Sequence, residues 1–170
     1  MTTINDVTAA LLAGVLAELV AVGAEAPDRA CVVPGDLAWD ECECGLLAVR
    51  WTGNSYGQTV TSNAADIDGG CGLPYVNVGI NVVLLRCVAG PQTGGDPPTC
   101  EQLSTAAAIL HRDVFAMEKA IATVVVDLLD SGAIIGFALN GQSPTGPQGN
   151  CVGTSYNLTV GIKNTWRPCG

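Results

Sequence analysis

Ile4, Val7, Leu11, Val15, Leu19 and Val22 recur at steps of three and four, the spacing that lines one face of a helix. Thr3-x-x-Asp6 precedes the run as a capping-box-like start, and Gly23 and Pro27 close it, so the spacing predicts an amphipathic helix at the beginning of the chain. A second helical pattern opens at another box, Thr99-x-x-Gln102. Leu103, Ala107, Leu110, Val114, Met117, Ile121, Val124 and Leu128 follow at alternating steps of four and three until Gly132. This predicts a helix of roughly thirty residues, about 45 Å long at 1.5 Å per residue. Its stripe is read as a core face laid across a sheet, with a coiled-coil seam as the alternative.

Between and after the helices the period changes to two. Val76, Val78, Ile80, Val82 and Leu84 alternate with Asn77, Gly79 and Asn81, the mark of a strand with one buried face. Beyond Val82 both faces become apolar, so this strand is expected to be central or to enter an interface. Gly45 to Thr52 (GLLAVRWT) reads as a strand followed by the turn-rich NSYG and a return strand around Gln58 to Ser62. Ala133 to Leu139 reads as a short strand, and Val152 to Lys163 as a terminal strand in which Tyr156, Leu158, Val160 and Ile162 oppose Asn157, Thr159 and Gly161. Three segments are expected as loops: 24–44, rich in acids, Pro and Cys, and the Gly/Pro stretches 90–98 and 140–150. One domain over 1–170 follows from a length of 170 residues. Its class is expected to be α+β, a mostly antiparallel sheet packed by an N-terminal amphipathic helix and one long central helix.

Composition changes the picture in two ways. Hydrophobic residues make up 48% of the chain against 14% charged, which excludes disorder as the main state and leaves more apolar surface than solvating charge. Ala9 to Val22 carries Glu18, and Ala120 to Leu139 contains Asp127 and Asp130, so neither stretch is read as a bilayer span. The first ionisable side chain is Asp6, so the start lacks a basic signal region, and the chain is expected to be made and folded in the cytosol. Apolar surface without a membrane is then expected to be buried against other copies, and oligomerisation is the first functional expectation.

Charge is the second change. The net charge of -9 would repel a phosphate backbone, which argues against specific nucleic-acid binding. Seven acids but only Arg29 lie between Glu18 and Glu43, while 131–170 holds only Lys163 and Arg167 as charged side chains. One subunit's acidic end can thus face its neighbour's basic end in a head-to-tail ring, and a solvated acidic loop is the alternative.

No catalytic constellation stands out, and the chain is read as a non-enzyme without cofactor. His111-Arg112-Asp113 lies inside a helix without the other kinase motifs, and no P-loop, G-x-S-x-G, G-x-G-x-x-G or H-E-x-x-H is present. Of the eight cysteines (31, 42, 44, 71, 87, 100, 151, 169) only Cys42-x-Cys44 is a close pair, which is not the knuckle spacing of structural zinc. A thiol or metal-binding module built on Cys100 with His111, or on Cys42 and Cys44, remains an alternative function. As staples, Cys87 and Cys100 flank a Gly/Pro loop and are the preferred pair. Cys151–Cys169 is excluded within one chain, because the strand between them runs about 40 Å and the six residues that follow reach back only about 20 Å.

With this order of elements the sequence resembles the tail terminator proteins of long-tailed bacteriophages, and its Ala/Gly/Val-rich acidic composition is similar to that of actinobacterial phages. The resemblance rests on the opening INDVTAALLAGVLAELV, the strands GLLAVRWTG and YVNVGINVVLLRCV, the helix from Cys100 to Leu129 and the final SYNLTVGIK. It implies a virion protein of the tail and neck, assembled in the host cytoplasm as a ring of about six copies. Such a ring caps the tail tube and meets the head-completion (stopper) protein, while DNA passes through without specific binding. Another joining or tail protein of the phage neck is the neighbouring alternative. On this reading Val83, Leu85, Lys163, Trp166 and Arg167 are expected at subunit contacts. The acids Glu18, Asp28, Asp36, Asp40, Glu41, Glu43, Asp66 and Asp68 are expected at the pore or its rim.

Overall fold

A computed structural model describes residues 2–36, 45–57, 75–87, 97–148 and 151–163. The described elements run α1 (Ile4–Ala21), β1 (Arg29–Val33), β2 (Leu46–Gly57), β3 (Tyr75–Cys87), α2 (Cys100–Asp130), β4 (Gly136–Gln148) and β5 (Cys151–Lys163). The strands form one sheet in the order β1-β2-β3-β5-β4; β1 lies parallel to β2 and every other pairing is antiparallel. The fold is α+β, as expected, with β3 in the middle.

Both helices begin and end as their sequences dictate. The Thr3 hydroxyl accepts from the Asp6 backbone N–H while the Asp6 carboxylate accepts from the Thr3 N–H at 2.7 Å, and Thr99 and Gln102 repeat the box on α2. These bonds to Thr3 hold the Asp6 carboxyl below its usual value. At the other ends Gly23 and Gly132 take φ +68 and +71. The amides of Gly23 and Ala24 bond back to Val20 and Leu19, and those of Gly132 and Ala133 to Leu129 and Leu128. Two glycine-terminated Schellman caps result.

The helices cover one face of the sheet. Val7, Leu11, Val15 and Leu19 of α1 are fully buried against Leu47 and Val49 of β2, Val78, Ile80, Val82 and Leu84 of β3, and Leu158 and Val160 of β5. Among the described residues α1 is the one helix long and apolar enough to cross a membrane by length and composition, although the sequence reading set it aside. Here its stripe lies in this core, and Glu18 pairs with Lys119 of α2 at 2.6 Å. The two helices approach closely at Gly14, where a Cβ would collide with the Val124 side chain. Tyr156 of β5 is buried beneath α2, and burial, with the nearby Glu118 charge, raises its phenol above the usual value.

Four expectations need correction. The 24–44 loop contains β1, a five-residue edge strand of exposed and half-buried positions, whose short apolar run Ala30 to Val33 sits among the acids and prolines that mark a loop. NSYG is not a turn: after a bulge between Trp51 and Gly53, β2 continues to pair with Tyr75 to Val78. Most of the 140–150 loop is strand, because β4 is the other sheet edge, where Pro144 has no ladder bond to lose. Gly141, at φ +104, absorbs the irregularity between Leu139 and Gly141. Finally, the long stripe leaves the core at its amino-terminal end: Leu103 is 52% exposed, and the buried face of α2 begins at Asp113. The return strand at 58–62 lies outside the described residues, as does nearly all of 90–98.

Candidate functional site

The sheet face turned away from the helices carries Asn77, Gly79 and Asn81 of β3 and Asn157, Thr159 and Gly161 of β5, and gives way to Val83 and Leu85 toward the end of β3. One rung crosses all five strands in register, Val33–Arg50–Asn81–Asn157–Gly141. Along it the Asp36 carboxylate accepts from Arg50 Nη1, Arg50 Nε donates to Asn81 Oδ1 at 2.9 Å, and Asn81 Nδ2 donates to Asn157 Oδ1 at 2.9 Å. Asn77 and Asn81 are buried at 1% and 3% exposure on this face. Asn140 Nδ2 donates to Thr159 Oγ1 at 2.9 Å and Gln142 Nε2 to Thr154 Oγ1 at 2.8 Å, which extends the network onto β4. Two open cavities of about 360 and 310 Å³ sit over it, the first lined by Thr52, Asn54, Ser55, Asn77 and Asn140, the second by Asp36, Arg50 and Thr145; Asn157 borders both. The surface is rich in amides and hydroxyls, with Arg50 tied to Asp36 in the middle of the sheet and Arg29 and Lys163 exposed at the starts and ends of its strands.

Pairing of bases extends beyond this face. Arg86 Nε donates to the fully buried Asp113 at 2.7 Å, and Arg112 approaches the other Asp113 oxygen at 3.5 Å. With Arg50–Asp36 and Lys119–Glu18, four of the bases have acidic partners. The net charge of -9 is therefore expressed with its cations largely neutralised in place.

A third, larger cavity of about 560 Å³ opens between the start of α2 and the ends of β3 and β5. Arg86, Cys87, Gln102, Ala106, Leu110 and Val152 are among its walls. Cys87 and Cys100 are both thiols, so the expected Cys87–Cys100 bond is absent; Cys31 is also a thiol, whereas Cys151 is disulfide-bonded. No group of three or more metal-binding side chains occurs among the described residues.

The residues expected at the site divide sharply. Asp28 is exposed, and the Asp36 side chain is 99% exposed although bonded to Arg50, so both suit a rim. Glu18 is instead spent on Lys119, its side chain 17% exposed where the two helices meet. Val83 and Leu85 are only 3% and 4% exposed within a single chain, which leaves a neighbouring subunit little of either to touch. That corrects their assignment to a subunit contact. Lys163 is exposed at the end of β5, while Asp40, Glu41, Glu43, Asp66, Asp68, Trp166 and Arg167 lie outside the described residues. Sequence reading missed the polar rung, whose signal was the recurrence of Asn and Gly at alternate positions of β3 and β5. No protein-family model and no curated protein matches the chain.

Proposed function

We propose that the chain is a ring-forming structural protein of a long-tailed phage, a tail terminator that caps the tail tube and joins it to the head connector. The observation that carries this reading is the distribution of exposed large apolar side chains over several sides of one subunit. Phe115 is 70% exposed on the outer side of α2, Val32 and Trp51 are 39% and 43% exposed near the β1 edge, and Leu139 is 40% exposed on the β4 edge. Separate apolar patches on one chain suit heterologous contacts, in which one face of a subunit meets a different face of the next and the ring closes. The amides and hydroxyls of the sheet face, and the pairing of its central cation Arg50 with Asp36, support passage of DNA, since a duplex gains salt-dependent affinity only where cations neutralise its phosphates. The amide and hydroxyl carpet is the surface assigned here to the lumen, with Asp28 and Asp36 at its rim.

Native mass spectrometry of the purified chain tests the reading. A species of about six copies is expected. Phe115→Glu, which alters a side chain that one subunit leaves exposed, is expected to shift the population toward monomer while the far-ultraviolet circular dichroism stays unchanged. A monomer for the unaltered chain, or an assembly indifferent to Phe115→Glu and to Trp51→Glu alike, overturns it.

A further inference from the structure

The opening turns of α2 run past the core: its buried face begins at Asp113, and the stretch before it lines the open cavity of about 560 Å³. Polar side chains of that stretch are turned to the helix's own backbone. Thr99 and Gln102 close the capping box, and Thr105 Oγ1 donates to the Glu101 carbonyl oxygen at 3.0 Å. Ala106, Ile109 and Leu110 then form an aliphatic stretch of the wall, which Val152 of β5 continues from the sheet. Arg86 belongs to the same wall and bonds Asp113, one turn beyond Leu110, so it stands at that end of the cavity.

Three charges meet there. Asp113 Oδ2 accepts from Arg86 Nε at 2.7 Å while Oδ1 faces Arg112 at 3.5 Å, so two guanidiniums divide one carboxylate. Arg86 Nη2 is closed off from solvent and has no hydrogen-bond partner. A charged donor in that condition is costly, and the cluster lacks both an acceptor and a second negative charge. Glu101, the acid of the cavity wall, does not supply them: it lies about 18 Å from Asp113 along the helix at 1.5 Å per residue.

We infer that this cavity binds a small monocarboxylate with an aliphatic tail. Its carboxylate bonds Arg86 Nη2, and its tail lies along Ala106, Ile109, Leu110 and Val152. A guanidinium has five N–H donors, and Asp113 takes only the Nε side, so a second carboxylate bonds the Nη side without displacing the first. Binding turns Nη2 toward the cavity, a movement that no existing bond to that nitrogen opposes. The volume lies within the roughly 300–1,000 Å³ of small-molecule clefts. This inference is independent of the phage reading.

Isothermal titration calorimetry of the full chain with octanoate and with 1-octanol tests it. Saturable octanoate binding is expected, at least about tenfold tighter than that of the alcohol, the factor that a hydrogen bond between two charged groups adds. Ala106→Phe, which fills the cavity from a half-buried position and leaves Arg86 and Asp113 in place, is expected to abolish octanoate binding. Arg86→Met together with Asp113→Leu is expected to bring octanoate down to the affinity of the alcohol. The comparison of the two probes on the unaltered chain holds whatever the variants do to folding. Absence of saturable octanoate binding, equal affinity for the two probes, or octanoate binding unchanged in both variants overturns the inference.

Discussion

Gly153→Ala is expected to destabilise the fold by about 3 kcal/mol, the upper part of the range for overpacking a well-packed site. Gly153 sits on β5 opposite Leu85. A Cβ there would fall inside contact distance of the Leu84 carbonyl oxygen, 3.0 Å from the Leu84 carbonyl carbon and 2.8 Å from Leu85 Cδ2. Two of those three atoms are backbone, so rotamer changes do not relieve the overlap and the central β3–β5 pairing must shift. Gly35→Ala is the control: nothing lies within 4 Å of its added methyl, and a change within about 0.5 kcal/mol is expected. Urea unfolding of the two variants checks the contrast, and equal midpoints would show that the β3–β5 register is misplaced.

The second large effect is expected at the buried ion pair. Asp113 has no exposed side-chain surface and Arg86 only 12%, so Asp113→Asn removes a charge from a site that water does not reach. The Arg86 guanidinium is then left buried without a counter-charge, a loss of about 3–5 kcal/mol for broken pairs of this kind. The pair itself is not the source of stability. Replacing both partners with apolar residues, Arg86→Met together with Asp113→Leu, is expected to recover most of the loss, because two desolvated charges and their mutual attraction roughly cancel. Thermal unfolding decides it: a double variant no more stable than Asp113→Asn contradicts this account.

How far these features were legible in the sequence depended on range. The helix ends were readable because each cap is written within four residues: Thr3 with Asp6, Thr99 with Gln102, and the glycines at 23 and 132. The centrality of β3 was readable because both of its faces turn apolar past Val82. The edge strands were not. β1 is short and exposed, and β4 carries proline and glycine, which a single-strand pattern scores as loop although an edge tolerates them. The candidate site was still less legible, since its bonds join residues far apart in the chain: Arg50 and Asn81 are separated by 31 positions, Asn81 and Asn157 by 76. Register alone brings them onto one rung. The same holds for Cys87 and Cys151, which stand opposite each other in register although spacing had set Cys87 with Cys100 and named no partner for Cys151.

Pore-facing acids were the hardest expectation to place from sequence. Glu18 shows why: an acid on an amphipathic helix reads as a polar-face residue, but a lysine 101 positions away pairs with it between the two helices. Charge counted along the chain overstates what a passing duplex would meet, because ion pairs formed by folding remove both signs from the surface.

The central claim, a ring that ends a tail tube, is tested most directly by electron microscopy of tubes assembled from the accompanying tail tube protein with and without this chain. With the chain present, tubes are expected to stop growing and to carry one ring of about six subunits at an end, the symmetry expected of a closed heterologous assembly. Tubes that continue to lengthen with bare ends, in the presence of excess chain, would contradict the account.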